Sequence, residues 1–186
     1  MERVLEDRKL IWQAKRGQEQ AFARIYQKYL DLMLTVGMSL LGDVNSAEDV
    51  VQEVFVQFAQ SLDSFQLSGS LKAFLATCVA NRARNLMRQG HRRTKAVSGM
   101  EPGCSTSHDP VDVMIKDESL KDLQGALSLL PPEQREIVVL KTQAGLSFRA
   151  LAHELNMSLG TVQSRYRYGI ERLRTLLDGE VNNETP

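Results

Sequence analysis

The stretch from Ser147 to about Leu176 constrains the fold most, because it joins two helical periods through a break only a few residues long. Phe148, Leu151, Ala152 and Leu155 recur at helical steps, and Ser147 stands where it can cap them. Asn156-Met157 forms a tight turn. Ser158 can then cap a second helix carrying Val162, Tyr166, Gly169, Ile170 and Leu173. Helices joined by so short a turn must cross steeply, which is the helix-turn-helix arrangement. At about 100° per residue, Val162, Tyr166, Gly169 and Leu173 share one side and must be buried. Ser164, Arg167, Tyr168 and Glu171 lie opposite, flanked by Thr161, Gln163 and Arg165.

In this motif the start of the second helix meets base edges in a major groove. Gln163, Ser164, Arg167 and Tyr168 are therefore the expected base contacts, with Thr161 beside them. Arginine can bond guanine bidentately and glutamine can do so with adenine. Arg165, Arg172 and Arg174 suit phosphates, which fix position without reading sequence. The plainer reading of the same residues is a helical hairpin with a solvated basic face.

Upstream, the pattern is also helical. Phe22, Ile25, Tyr26, Tyr29, Met33 and Val36 form one stripe. Ala47, Val50, Val51, Val54, Phe55, Phe58 and Leu62 form a second, with Asn45 or Ser46 as N-cap. Leu71, Phe74, Leu75, Cys78, Val79 and Leu86 form a third, expected to close near Gly90. Residues 94–117, with Ser98, Gly99, Pro102, Gly103, Ser105, Ser107 and Pro110, read as a flexible linker. Beyond it, Leu120, Leu123, Leu127 and Leu130 make a stripe that Pro131-Pro132 ends, starting a helix with Ile137, Val138 and Leu140. The expected fold is all-α: two small helical bundles, residues 10–93 and 118–178, joined by that linker.

Charge distribution says more than its total. The 186-residue chain has zero formal net charge, yet Arg82, Arg84, Arg88, Arg92, Arg93 and Lys95 lie between Asn81 and Lys95 with no acid. Asn81, Arg84, Asn85, Arg88 and Arg92 fall on one helical stripe, with Arg82 beside it, suited to a phosphate backbone and polar contacts with bases. The preceding loop, Phe65 to Ser70, could hold an unstacked base, with Phe65 or Phe74 as platform. Asp49, Gln52, Glu53 and Gln57 face outward on the previous helix: either a solvated acidic face or a dock for a basic partner.

Other classes lack their parts. The N-terminus, Met1 to Lys9, has no apolar stretch to act as a signal peptide, and no apolar run has the length of a membrane span. A cytoplasmic protein without membrane insertion is expected. Cys78 and Cys104 stand apart and make neither a disulfide framework nor a zinc site. His91, His108 and His153 are scattered, and no glycine-rich phosphate loop precedes a helix, so no enzyme, metal or cofactor is expected. A stand-alone regulator would need a sensor or dimerisation domain, for which the N-terminal half shows neither ligand motif nor heptads.

The order of these elements resembles the extracytoplasmic-function (ECF) sigma factors of bacterial RNA polymerase. Residues 49–55 (DVVQEVF) look like that family's polymerase-docking helix, and residues 71–82 (LKAFLATCVANR) like its promoter-melting segment. Residues 130–136 (LPPEQRE), Gly145-Leu146-Ser147 and residues 160–165 (GTVQSR) look like its C-terminal domain. The resemblance implies a specificity subunit that docks on core RNA polymerase through Asp49, Gln52, Glu53 and Gln57. It implies minus-ten recognition by Phe65, Ser70, Phe74, Asn81, Arg82, Arg84, Arg88 and Arg92. It further implies minus-thirty-five recognition by Thr161, Gln163, Ser164, Arg165, Arg167, Tyr168 and Arg172, and an anti-sigma partner. Two positions depart from the family: Phe74 replaces a usual Trp, and Tyr166-Arg167-Tyr168-Gly169 replaces a commoner run.

Overall fold

The computed structural model describes residues 2–98 and 118–181, with side chains described for residues 4–90 and 121–178. Among these residues every regular element is a helix: α1 (Glu2–Lys15), α2 (Glu19–Leu41), α3 (Val44–Ser61), α4 (Leu71–Ser98), α5 (Glu118–Ser128), α6 (Pro132–Thr142), α7 (Phe148–Glu154) and α8 (Leu159–Val181). No described helix is long and apolar enough to cross a membrane.

The N-terminal bundle forms around α2, which packs on α1, α3 and α4. Its buried stripe is Ala21, Ile25, Tyr29, Met33, Val36 and Leu40, a 3.6-residue repeat. Gly37 in that stripe lets α3 come close: a Cβ there would lie 3.2 Å from the Ala47 Cβ. Gly42 ends α2 with φ of 75° and donates its N–H to the Met38 carbonyl, a left-handed C-cap that glycine adopts without strain. The N-cap of α3 is Asp43, not Asn45 or Ser46: its carboxylate accepts the Ser46 N–H at 2.7 Å, and its backbone is extended.

Two further expectations are corrected. Helix α1 lies mostly upstream of the expected domain start. Asp7, Leu10, Ile11 and Ala14 form its buried face, and Asp7 accepts bonds from Lys28 Nζ and Tyr29 Oη, each at 2.8 Å. A buried carboxylate with two donors pins α1 to α2. Helix α4 does not close near Gly90 but continues to Ser98. A closing glycine needs a positive φ, which Gly90 does not have. Residues 94–98 are therefore helical, and the rest of the expected linker, with Cys104, lies outside the described residues.

In the C-terminal bundle, α6 carries Ile137, Val138, Val139 and Leu140, all buried, and α8 packs along it. The two bundles share one apolar cluster: α5 and α6 lie on α2, and α6 and α7 on α4. The seam also has polar contacts. Gln124 donates to the Met38 carbonyl and Arg135 to the Leu40 carbonyl, each at 3.0 Å. The Leu40 carbonyl is among the last of α2, which lack a partner within their own helix, while the Met38 carbonyl accepts from Gln124 in addition to the capping Gly42 N–H.

Candidate nucleic-acid interface

The C-terminal face follows from one turn. Leu155 ends α7, Asn156 takes φ of 50°, and the Met157 N–H reaches the Ala152 carbonyl. Asparagine tolerates that left-handed conformation better than most residues. Ser147 Oγ accepts the Ala150 N–H at 3.1 Å and Ser158 Oγ accepts the Thr161 N–H at 3.0 Å, so both serines cap as expected. Phe148 meets Tyr166 edge-on, with centroids 5.3 Å apart, where the helices cross.

The faces of α8 follow the wheel in part: Tyr166, expected inside, and Ser164, expected outside, are both half-buried. Val162 and Leu173 are buried, and Gly169 touches α6 so closely that a Cβ would stand 2.7 Å from Val138 Cγ2. Gln163, Arg167, Tyr168 and Arg172 are exposed. Thr161 is half-buried, and so is Ser164, whose hydroxyl donates to the Thr161 carbonyl. Arg167 lies against the Tyr168 ring and donates to its hydroxyl at 3.3 Å, a pairing that presents a planar cation and an aromatic together. Arg165 behaves differently: half-buried, it turns back to the Met157 sulfur at 3.4 Å.

The expected minus-ten residues are less uniform. Asn81, Asn85 and Arg88 are exposed on α4. The side chain of Arg92 lies outside the described residues. Arg82 is tied to Glu53 at 2.5 Å, and Gln57 donates to the other Glu53 oxygen at 3.2 Å. Residues expected on two separate surfaces are thus one network, and Glu53 is half-buried rather than fully outward. Asp49, Gln52 and Gln57 remain exposed. Phe65 and Phe74 are half-buried, with centroids 4.8 Å apart and both rings against Phe58. They pack on one another and on Phe58 rather than standing as free platforms. Ser70 heads α4, its hydroxyl 3.5 Å from the Ala73 N–H.

Arg84 is the largest departure from expectation. Its guanidinium crosses the seam and bonds the Glu136 carboxylate, which is 6% exposed. Burial pushes the Glu136 carboxyl above its usual range, although the charge and hydrogen bond of Arg84 pull it down. Sequence reading assigned Glu136 no role. Its place on α6 depends on Pro131-Pro132, and its partner lies in the other bundle. Cys78, half-buried, has its thiol pushed up to about 11 by burial and by the Glu154 charge, which leaves it unreactive at neutral pH.

Comparison with known proteins agrees with this arrangement. Residues 25–94 match Sigma-70 region 2, and residues 120–173 match Sigma-70, region 4. The chain is 30% identical over 179 residues to the ECF RNA polymerase sigma factor SigW of Bacillus subtilis, covering 91% of this chain and 96% of that one. It belongs to the ECF sigma factors. This sigma factor is also 27% identical over 192 residues to the ECF RNA polymerase sigma-E factor of Escherichia coli K12, with 97% of each chain covered. Among solved structures, RpoE of Bartonella quintana, in complex with the anti-sigma factor NepR, matches at a TM-score of 0.68 with 27% identity, over 83% of this chain and 97% of that one. CnrH, in complex with the cytosolic domain of CnrY, shares the fold at a TM-score of 0.71 and 24% identity, over 94% of this chain and 98% of that one. As an RNA polymerase sigma factor, the protein serves transcription initiation.

Proposed function

We propose that this sigma factor selects promoters by holding core polymerase on the exposed side of α3 while its two bundles read separate DNA elements. Asp49, Gln52 and Gln57 would supply the dock, with Glu53 contributing through its network with Arg82. Asn81, Arg82, Arg84, Arg88 and Arg92 of α4 would follow the minus-ten strand, beside the loop that Phe65 opens against Phe74 and that ends at Ser70, the head of α4. Gln163, Ser164, Arg167 and Tyr168, beside Thr161, would read the minus-thirty-five element, with Arg165 and Arg172 on phosphates.

The observation that carries this reading is the α8 face: Gln163, Arg167, Tyr168 and Arg172 are exposed, while Val162 and Leu173 are buried and Gly169 presses on α6. Two contacts joined in one chain raise the effective concentration of the second, so two weak affinities give one useful affinity. The protein would act by binding rather than turnover, in the cytoplasm, where polymerase and promoter DNA are. The likeness to RpoE, seen in complex with NepR, supports an anti-sigma partner for this chain too. The test is reconstitution with core polymerase on a pool of randomised promoters. Enrichment of two spaced elements is expected; transcription indifferent to the upstream element would overturn the α8 assignment.

A further inference from the structure

The Arg84–Glu136 pair joins the two halves of the proposed promoter contact. Arg84 lies on the α4 stripe that would meet the minus-ten backbone, and its bonding partner is in the other bundle. Glu136 sits where α6 meets α4 and is nearly inaccessible, whereas the Arg84 side chain is 36% exposed. The charged groups acting on Glu136 are Arg84 of α4, Arg165 of α8 and Glu133 of its own helix. Arg165 is half-buried and engaged with Met157, and Glu133 repels it.

From this geometry we infer that Glu136 is a positioning residue that couples capture of Arg84 by DNA to separation of the two bundles. A phosphate that takes Arg84 leaves Glu136 as a buried carboxylate without its principal partner, a strongly unfavourable state. It is relieved either by uptake of a proton, which burial favours as acidity increases, or by hydration, which requires the seam to open. The other polar seam contacts oppose this weakly, because water can satisfy the Met38 and Leu40 carbonyls once Gln124 and Arg135 withdraw. Arg84 thus need not hold the seam tightly; its departure makes closure costly. The upward push of burial on the Glu136 carboxyl fits a charge kept in place at a cost.

The DNA-binding half of this inference rests on the proposed minus-ten role of Arg84; the charge coupling does not. The full chain is measured by small-angle X-ray scattering at mildly alkaline pH, which keeps the Glu136 carboxyl charged, first without DNA. Arg84→Met keeps the aliphatic stem and should enlarge the radius of gyration by several ångströms over wild type. Glu136→Gln should stay compact. The double variant should return to the wild-type radius, because no charge is left stranded. An Arg84→Met chain as compact as wild type overturns the coupling, and so does a double variant as expanded as the single one. Oligothymidylate at low salt then probes the backbone contact. Wild type should expand on binding, while Glu136→Gln should bind at least severalfold more tightly and stay compact. Expansion of Glu136→Gln on binding would overturn the coupling. Equal oligothymidylate binding by Arg84→Met and wild type would instead remove the minus-ten role of Arg84, leaving the DNA-free result to decide the pair.

Discussion

Gly169→Ala tests the contact that orients the recognition helix. A methyl at this position would stand 2.7 Å from Val138 Cγ2, with Gln134 Cβ at 3.4 Å and the Gln134 carbonyl oxygen at 3.5 Å behind it. Val138 is 3% exposed in the middle of α6, and a β-branched side chain in a helix has one strongly preferred rotamer, so it cannot turn aside. Overpacking of this kind costs about 1–3 kcal/mol, and replacing a helical glycine by alanine returns somewhat under about 1 kcal/mol. The expected net loss is about 0–2 kcal/mol, read as a lower urea midpoint at unchanged m-value. Val138→Ala removes the opposing methyl, so the double variant should be more stable than the sum of the two single losses by at least about 0.5 kcal/mol. A Gly169→Ala protein clearly more stable than wild type, or strictly additive losses, would show that α8 does not press on α6 at this point.

Other outcomes follow from the same geometry. Ser147→Ala and Ser158→Ala each remove a cap and should each cost about 1 kcal/mol by chemical denaturation. Arg172→Ala should weaken DNA binding evenly across sequences and lower the salt slope, measured by fluorescence anisotropy over a salt series. Gln52→Arg should weaken polymerase binding while leaving the isolated protein's stability unchanged, since Gln52 is exposed; Glu53→Arg should weaken both, because it also repels Arg82. The carboxyl of Glu136 is raised in the folded state, so its stability contribution is full below the unfolded value and is lost as pH rises through the folded one. Glu136→Gln should therefore be at least as stable as wild type at neutral pH, and the difference should shrink as acidity increases. Unfolding curves across mildly acidic to neutral pH measure this.

What the sequence disclosed was mainly local. The helix-turn-helix was readable because its period, its turn at Asn156 and its two serine caps all lie within a short stretch. Long-range contacts were not. Asp7 breaks the apolar pattern of α1, and only its partners Lys28 and Tyr29 show why a carboxylate belongs inside. Gly90 resembles a helix stop in sequence, yet α4 continues through it, because stopping depends on backbone angle rather than residue type. Glu53 and Arg82 looked like members of opposed surfaces until α3 and α4 packed side by side. Phe65 and Phe74 looked available for stacking, but Phe58 and each other occupy much of their rings. Arg84 read as one more member of a basic stripe; its connection to Glu136 exists only once the bundles meet.

The most direct test compares wild type and Arg167→Ala, each with core polymerase, on promoters randomised across the upstream element and sequenced from their transcripts. Preference should relax at one position there, with activity on the favoured sequence falling by about 1–3 kcal/mol in effective binding, while downstream preferences stay unchanged. Identical upstream preferences for the two proteins would contradict base reading by the α8 face.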